Sequence, residues 1–371
     1  MSGAGRRGAW TDERRLADPA QVPDHEEHRS EARSARGKAS HGGAPWSESV
    51  TLKRRVLLGL PALALAGCAM PADAAAKRWH QGELAIGTGN PTGVFYELGA
   101  GYADVINRHM TGFEATAAPT NGSIDNLIRL ASGDVDIALV FADNAADALH
   151  GAGSFAGAEV NVRALARVYN NYAHVIVRTD AAIQSIVDMR GRRISTSTHS
   201  SGTEVMAQRM LTAAGLNPAT EVTTLAMSLG ETTTAMAAGS IDGMFWSGGL
   251  PTTGVSDLFR QAGGKVRFLA VDTLVPALSK LYGAGIYTAA VLPKATYALN
   301  ADVPTIAEPN LLVVDANMPN DVAHQLTGLL FQYQTELAAV HPVAKDIKRD
   351  TAPQTEPVPL HPGAARYYAA G

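Results

Sequence analysis

A single cysteine, Cys68, serves a chain of 371 residues. That scarcity excludes a disulfide framework and a cysteine-built zinc site. Strong charge of either sign is also missing, because 31 Lys and Arg stand against 35 Asp and Glu. A formal charge of −4 gives no general attraction to nucleic acid. Long apolar runs are lacking as well. The longest, Val56 to Ala66, has about 11 residues, whereas a membrane-spanning helix needs about 20. Histidines His109, His150, His174, His199, His324, His341 and His361 are scattered, with no H-x-x-x-H pair to hold a metal. There is no G-x-S-x-G elbow and no G-x-x-x-x-G-K-[ST] loop. Gly87-Thr88-Gly89 begins like a dinucleotide fingerprint, but Gly93 falls one position too late. An enzyme is therefore not expected, nor a cofactor.

The short apolar run follows Lys53-Arg54-Arg55 and ends in Leu65-Ala66-Gly67-Cys68. A basic start, a short apolar core and small residues before a cysteine have the form of a lipoprotein signal peptide. Residues 53–68 are read as that signal, with Cys68 as the lipidated residue anchoring the chain to a membrane. A plain secretory cut near Ala72-Asp73-Ala74 is the alternative, and Arg54-Arg55 faintly suggests a twin-arginine signal. Residues 1–52 are polar, without apolar periodicity, and read as a disordered leader. Translation is expected to begin near Val50. Residues 69–79 read as a linker.

From Trp79 onward the pattern is globular, and it repeats. Leu84-Ala85-Ile86, a glycine-rich loop and a helix from Val94 to Met110 are echoed about 108 positions later. The echo comprises Arg193 to Thr196, a small-residue loop from Ser197 and a helix from Thr203 to Ala214. Leu130-Ala131-Ser132-Gly133-Asp134-Val135-Asp136 is matched by Met236-Ala237-Ala238-Gly239-Ser240-Ile241-Asp242. Each predicts a glycine-capped helix end, a turn and a buried strand, with Asp136 and Asp242 steadying the turns. Two similar α/β lobes with mainly parallel sheets are implied. Val322, Leu326, Leu329, Leu330, Tyr333 and Leu337 form the core stripe of a helix opened by Pro319-Asn320-Asp321.

Ligands of open α/β sheets sit beyond the carboxyl ends of the strands, where helix N-termini favour anions. Four loops fit. They are Gly87 to Tyr96 (with Gly89, Asn90, Thr92 and Tyr96), Asn121-Gly122-Ser123, Ser200-Ser201-Gly202-Thr203 and Ser247-Gly248-Gly249-Leu250-Pro251. The third has capping-box form, with Ser201 as the cap and Glu204 at N3. His199 reads as an exposed loop residue. None of the loops contains Lys or Arg, which points to a small monoanion or zwitterion and away from a nucleotide.

These stretches resemble the TAXI-type solute-binding proteins of TRAP (tripartite, ATP-independent periplasmic) transporters. The similarity is carried by IGTGNPTGVFYELG (Ile86–Gly99), NGSIDNLIRLASGDVDIALV (Asn121–Val140), SSGTEV (Ser200–Val205) and AAGSIDGMFWSGGLP (Ala237–Pro251). DVPTIAEPNLLVV (Asp302–Val314) and PVPLHPGAARYY (Pro357–Tyr368) extend it to the chain end. The resemblance implies a two-lobed clamp of the type II periplasmic-binding fold. Lobe one would comprise 80–177 plus 309–371 and lobe two 178–308, joined by crossover strands near His174–Arg178 and Asn310–Val314. It also implies that Gly89, Thr92, Tyr96, Asn121, Gly122, Ser123, Ser201, Gly202, Thr203, Gly248, Gly249 and Pro251 line the cleft. The implied ligand is a glutamate-like amino acid or a 2-oxo dicarboxylate. The implied partners are the membrane permease subunits of a TRAP transporter, in the periplasm or on the outer cell face. A binding protein of an ATP-driven importer is the runner-up. Family members often carry Gly-Gly in place of Asn90-Pro91, and Gly in place of His199.

Overall fold

The computed structural model describes residues 78–370. The leader, the apolar run and Cys68 lie outside the described residues. Strand β1 (Glu83–Gly87) leads through α1 (Val94–His109) to β2 (Glu114–Ala118), then through α2 (Ser123–Ser132) to β3 (Ile137–Phe141). β1 pairs in parallel with both β2 and β3. Helix α3 (Ala142–Leu149) then precedes the 17-residue strand β4 (Val162–Arg178). The opening unit recurs as β5 (Arg193–Ser195), α4 (Gly202–Ala213), β6 (Thr223–Leu225), α5 (Leu229–Ala238) and β7 (Gly243–Gly248). Here β5 pairs in parallel with both β6 and β7. The remainder is α6 (Thr253–Ala262), β8 (Val266–Phe268), α7 (Val275–Tyr282), β9 (Thr288–Leu292), β10 (Val303–Asp315), α8 (Asn320–Gln332), α9 (Gln334–Val340) and α10 (Pro362–Ala369).

The expected sequence repeat is thus a structural one, and the sheet order shows how its copies meet. Strands run β2-β1-β3-β10-β4-β7-β5-β6, with β8 beside β4 and β9 beside β10. Each parallel triplet ends against one long antiparallel strand, β10 for the first half and β4 for the second. The sheet is therefore mixed. Strands β4 and β10 pair with each other from Val162–Asp315 to Tyr172–Ala307, so they pass together from one half to the other. The transition falls beside Asn170–Tyr172, and His174 to Val177 pair with β7 of the second half.

Alternation on these strands divides the core. Val175 and Val177 point to one face, with Ile194, Met206 and Leu211, while Ile176 points to the other, with Met244, Leu258 and Phe268. The first half is covered on both faces in the same way, by α1 and α8 on one side and α2 and α3 on the other. Burial on both faces explains why β3 reads as an unbroken apolar run.

The paired aspartates do the same job in each copy. Asp136 N–H donates to Ala85 O and Asp136 Oδ2 accepts from Ala85 N–H, both at 2.8 Å. Asp242 N–H donates to Arg193 O at 2.8 Å, and its Oδ2 accepts from Arg193 N–H at 2.9 Å. Each carboxylate thus clasps the first strand of its half. Gly133 and Gly239 cap α2 and α5 in the left-handed region, at φ 82° and 73°. The helix expected through Val322–Leu337 is in fact two, broken at Tyr333, although Leu326, Leu330 and Leu337 are buried as expected.

Candidate ligand-binding site

Helices α1, α2 and α4 begin at one cavity, lined from the first half by residues between Gly89 and Asn171 and from the second by residues between Ser197 and Gly248. Its space between atoms, mouth included, is about 410 Å³. The first N–H groups of a helix have no acceptor within the helix. In α4, Ser201 Oγ accepts from Glu204 N–H at 3.0 Å, which leaves the Gly202 and Thr203 N–H groups at the cavity. In α1, Tyr96 and Glu97 N–H both return to Gly93 O, which leaves those of Val94 and Phe95. In α2, Asp125 N–H donates to Ser200 O and Asn126 N–H to Gly122 O, which leaves that of Ser123. Three positive dipole ends and a set of free donors suit an oxyanion.

No lining residue is charged. The walls are aromatic. Phe95 meets Phe141 edge-on at 5.6 Å and Tyr169 at 6.4 Å, and Trp246 lies opposite on β7. Trp246 spends its Nε1–H on Thr252 Oγ1, so that donor is already taken. Three buried lining side chains carry polar atoms without a protein partner: Tyr169 Oη, Asn171 Oδ1 and Ser197 Oγ. Such atoms are costly to bury unless something else satisfies them.

The two halves meet around this cavity. Asp125 N–H donates to Ser200 O at 3.0 Å, joining the halves, and Thr198 Oγ1 donates to Asn121 O at 3.1 Å. Thr253 Oγ1 donates to Glu97 Oε1 at 3.0 Å, and His341 Nε2 to Pro251 O at 3.0 Å. Gly202 must lack a side chain here, since a Cβ would lie 2.5 Å from the Phe141 ring and 2.7 Å from Asn144 Oδ1.

Behind Asn171 lies a buried ionic network. Asn171 Nδ2 donates to Glu308 Oε1 at 3.4 Å. Arg209 of α4 donates to Asp143 Oδ2 at 2.8 Å, Asp147 Oδ2 at 2.5 Å and Tyr287 Oη at 3.1 Å. Tyr287 Oη also donates to Asp143. Burial pushes the Glu308 carboxyl well above the usual range, and the neighbouring Asp143 charge and hydrogen bond push it further. Glu308 Oε2 and Asp143 Oδ1 are buried without a hydrogen-bond partner.

Of the residues singled out from sequence, Gly89, Asn90, Asn121, Gly122, Ser123, Ser201, Gly202, Thr203, Ser247 and Gly248 line the cavity. Thr92, Tyr96, Ser200, Gly249 and Pro251 do not. Thr92 and Pro251 are exposed, and Tyr96 lies farther round α1 than the lining pair Val94 and Phe95. Ser200 sits at φ 62°, a turn that sends its carbonyl to Asp125 and its N–H to Glu204 Oε2. Gly249 packs closely against Tyr169, Val94 and Val343. The capping box is half formed: the Ser201 cap exists, but the Glu204 carboxylate reaches Ser200 N–H and His199 Nδ1 in place of Ser201 N–H. His199 is exposed, as expected. Sequence reading missed Phe141, Tyr169, Asn171, Ser197 and Trp246. The one signal for them was Asn170-Asn171, a polar pair inside an apolar strand.

A family model described as the NMT1-like family matches residues 86–370. The chain belongs to the NMT1-like family. Solved structures similar to this NMT1-like protein include the alkanesulfonate-binding protein SsuA from Xanthomonas axonopodis pv. citri bound to MOPS. It is 18% identical, with 78% of this chain and 83% of that one covered and a TM-score of 0.43. A binding-protein component of an ABC phosphonate transporter from Pseudomonas aeruginosa is 15% identical, covers 71% and 79%, and has a TM-score of 0.49. Among the described residues of the NMT1-like chain, no helix is long and apolar enough to cross a membrane. No group of three or more His, Cys, Asp and Glu there could hold a metal ion.

Proposed function

We propose that this protein is an exported solute-binding protein, anchored through Cys68, that captures a small carboxylate-bearing solute for delivery to membrane permease subunits. The observation that carries the reading is the convergence of three helix N-termini on an uncharged cavity between two sheet halves. Residues Gly89, Asn90, Asn121–Ser123, Ser201–Thr203, Ser247 and Gly248 form the site in this proposal. The halves act as lobes that close on the solute, and contacts such as Asp125 N–H to Ser200 O favour the closed form.

The motif resemblance supports a TRAP-type secondary transporter as the recipient. Native mass spectrometry of the freshly purified protein should show a bound organic acid. Uptake of that acid should vanish in a deletion strain and should follow an ion gradient. Uptake driven by ATP would assign the protein to an ABC importer. A copurified solute without an acidic group would overturn the carboxylate reading. Lipid labelling should disappear in Cys68→Ser; labelling that persists would remove the anchor.

A further inference from the structure

The cavity is specific about what may accompany the carboxylate. We infer that its solute is a monocarboxylate with an apolar body, without an amino group and without a second acid. This departs from the glutamate-like or 2-oxo dicarboxylate ligands implied by the motif resemblance, and it rests on the reading of the cavity as a solute site.

Charge balance is the first reason. The lining has no Asp or Glu to pair with an α-ammonium, and no Arg or Lys to pair with a second carboxylate. A buried charge without a counter-charge is disfavoured. The helix ends at Val94, Ser123 and Gly202 all bring positive potential, so they favour one anion and oppose an ammonium. Glu308 is the acid that contacts a lining residue from the network behind the wall, through Asn171. Burial and the neighbouring Asp143 hold it towards its neutral form, which makes it a poor counter-charge.

The distribution of hydrogen-bonding atoms is the second reason. Free backbone groups at the cavity are donors, which suits a carboxylate. An ammonium needs three acceptors. Asn171 Oδ1 is the one buried amide oxygen of the lining without a partner, and the Tyr169 and Ser197 hydroxyls are likewise unpartnered. These three side chains are all at least 97% buried, at 3% exposure for Tyr169, 0% for Asn171 and 2% for Ser197, so solvent does not explain their open valences. They can serve one neutral polar group on the solute. Phe95, Phe141 and Trp246, with Val94, supply the apolar part of the wall, which matches an apolar body.

Calorimetry on the purified, ligand-stripped protein with matched pairs tests this. 4-Methylpentanoate and leucine differ only in the amino group. Pentanoate and glutarate differ only in the second acid. The first of each pair should bind at least about tenfold tighter, a difference well above calorimetric error. Leucine or glutarate binding as tightly as its partner, or tighter, would overturn the inference and leave the solute-binding reading intact. If none of the four binds while native mass spectrometry shows a different class of bound solute, both the carboxylate reading and this inference fall.

A second arm supplies the missing charge. Ser197 sits at φ 74°, a conformation that aspartate tolerates better than most residues. Ser197→Asp should shift the leucine-to-4-methylpentanoate ratio at least about tenfold towards leucine. An unchanged ratio in a variant that melts cooperatively would overturn the argument from charge. If the variant does not fold, the matched pairs on the unaltered protein decide alone.

Discussion

Arg209 Nη1 donates to Asp143 Oδ2 at 2.8 Å, so a guanidinium on α4 is locked to a carboxylate on α3 across the two halves of the sheet. The pair is buried, with 11% of the Arg209 side chain and 0% of that of Asp143 exposed. Burial alone would lower the guanidinium pKa, but Asp143, Tyr287 and Asp147 together raise it. The same helix α4 presents Gly202 and Thr203 to the cavity. The ionic lock therefore helps set where those donors stand.

Arg209→Ala would strand Asp143 and Asp147 without their counter-charge. A loss of about 3–5 kcal/mol in unfolding free energy is expected, which is the usual cost of breaking a buried pair from one side. Urea unfolding monitored by circular dichroism measures it. Arg209→Lys should recover only part of the loss, because an ammonium cannot reproduce the guanidinium fork that reaches Asp143 and Asp147 together.

Glu308 makes stability fall with rising pH. Its folded pKa lies above that of the unfolded chain, so the folded state holds the proton more tightly. Its contribution is complete below the ordinary carboxyl range and is lost as pH rises towards the folded value. Glu308→Gln keeps a donor to Asp143 but cannot ionise. Melting temperature from pH 5 to 9 should therefore decline less steeply in the variant than in the parent.

His174 works in the opposite sense. Its Nδ1–H donates to Tyr172 O at 2.8 Å, and Nε2 accepts from the Tyr297 hydroxyl at 2.8 Å, which in turn accepts from Thr252 N–H. Burial lowers its pKa to about 4, against a partly opposing backbone hydrogen bond from Tyr172. The unfolded chain protonates first as pH falls, so stability is full above about 6.5 and is lost towards 4. The loss is about 3 kcal/mol at 1.36 kcal/mol per unit. His361, also lowered by burial, acts in the same direction. Denaturant midpoints at pH 4.5 and 7.5 should differ less in His174→Gln.

Ser201 and Thr203 separate stability from binding. Ser201→Ala removes the α4 cap and should cost about 0.5–2 kcal/mol. Thr203→Ala should weaken binding of the copurified solute in calorimetry while leaving the melting temperature within about 1 °C. Unchanged affinity would remove Thr203 from the site.

Local pattern made much of this legible. The motifs around Gly89, Asn121 and Ser201 reach the cavity because a strand–loop–helix passage leaves backbone donors at the helix start wherever it occurs. Thr92, Tyr96 and Pro251 stand outside this cavity because turn geometry, not residue type, sets where a loop side chain points. Phe141, Tyr169 and Trp246 were missed because an aromatic residue on a buried strand has the same sequence signature whether it fills core or walls a cavity.

The sequence by itself determined that a strand–loop–helix passage and a glycine-capped helix end recur in two copies, with Asp136 and Asp242 at equivalent turns. All of these depend on contacts within one copy and on residue-level propensities. Only the tertiary structure decided that β4 and β10 run antiparallel through the middle of one mixed sheet, that α8 and α9 part at Tyr333, and that Arg209 meets Asp143. Those partners lie tens to more than a hundred residues apart, and no local periodicity encodes which distant strand or charge a residue will face.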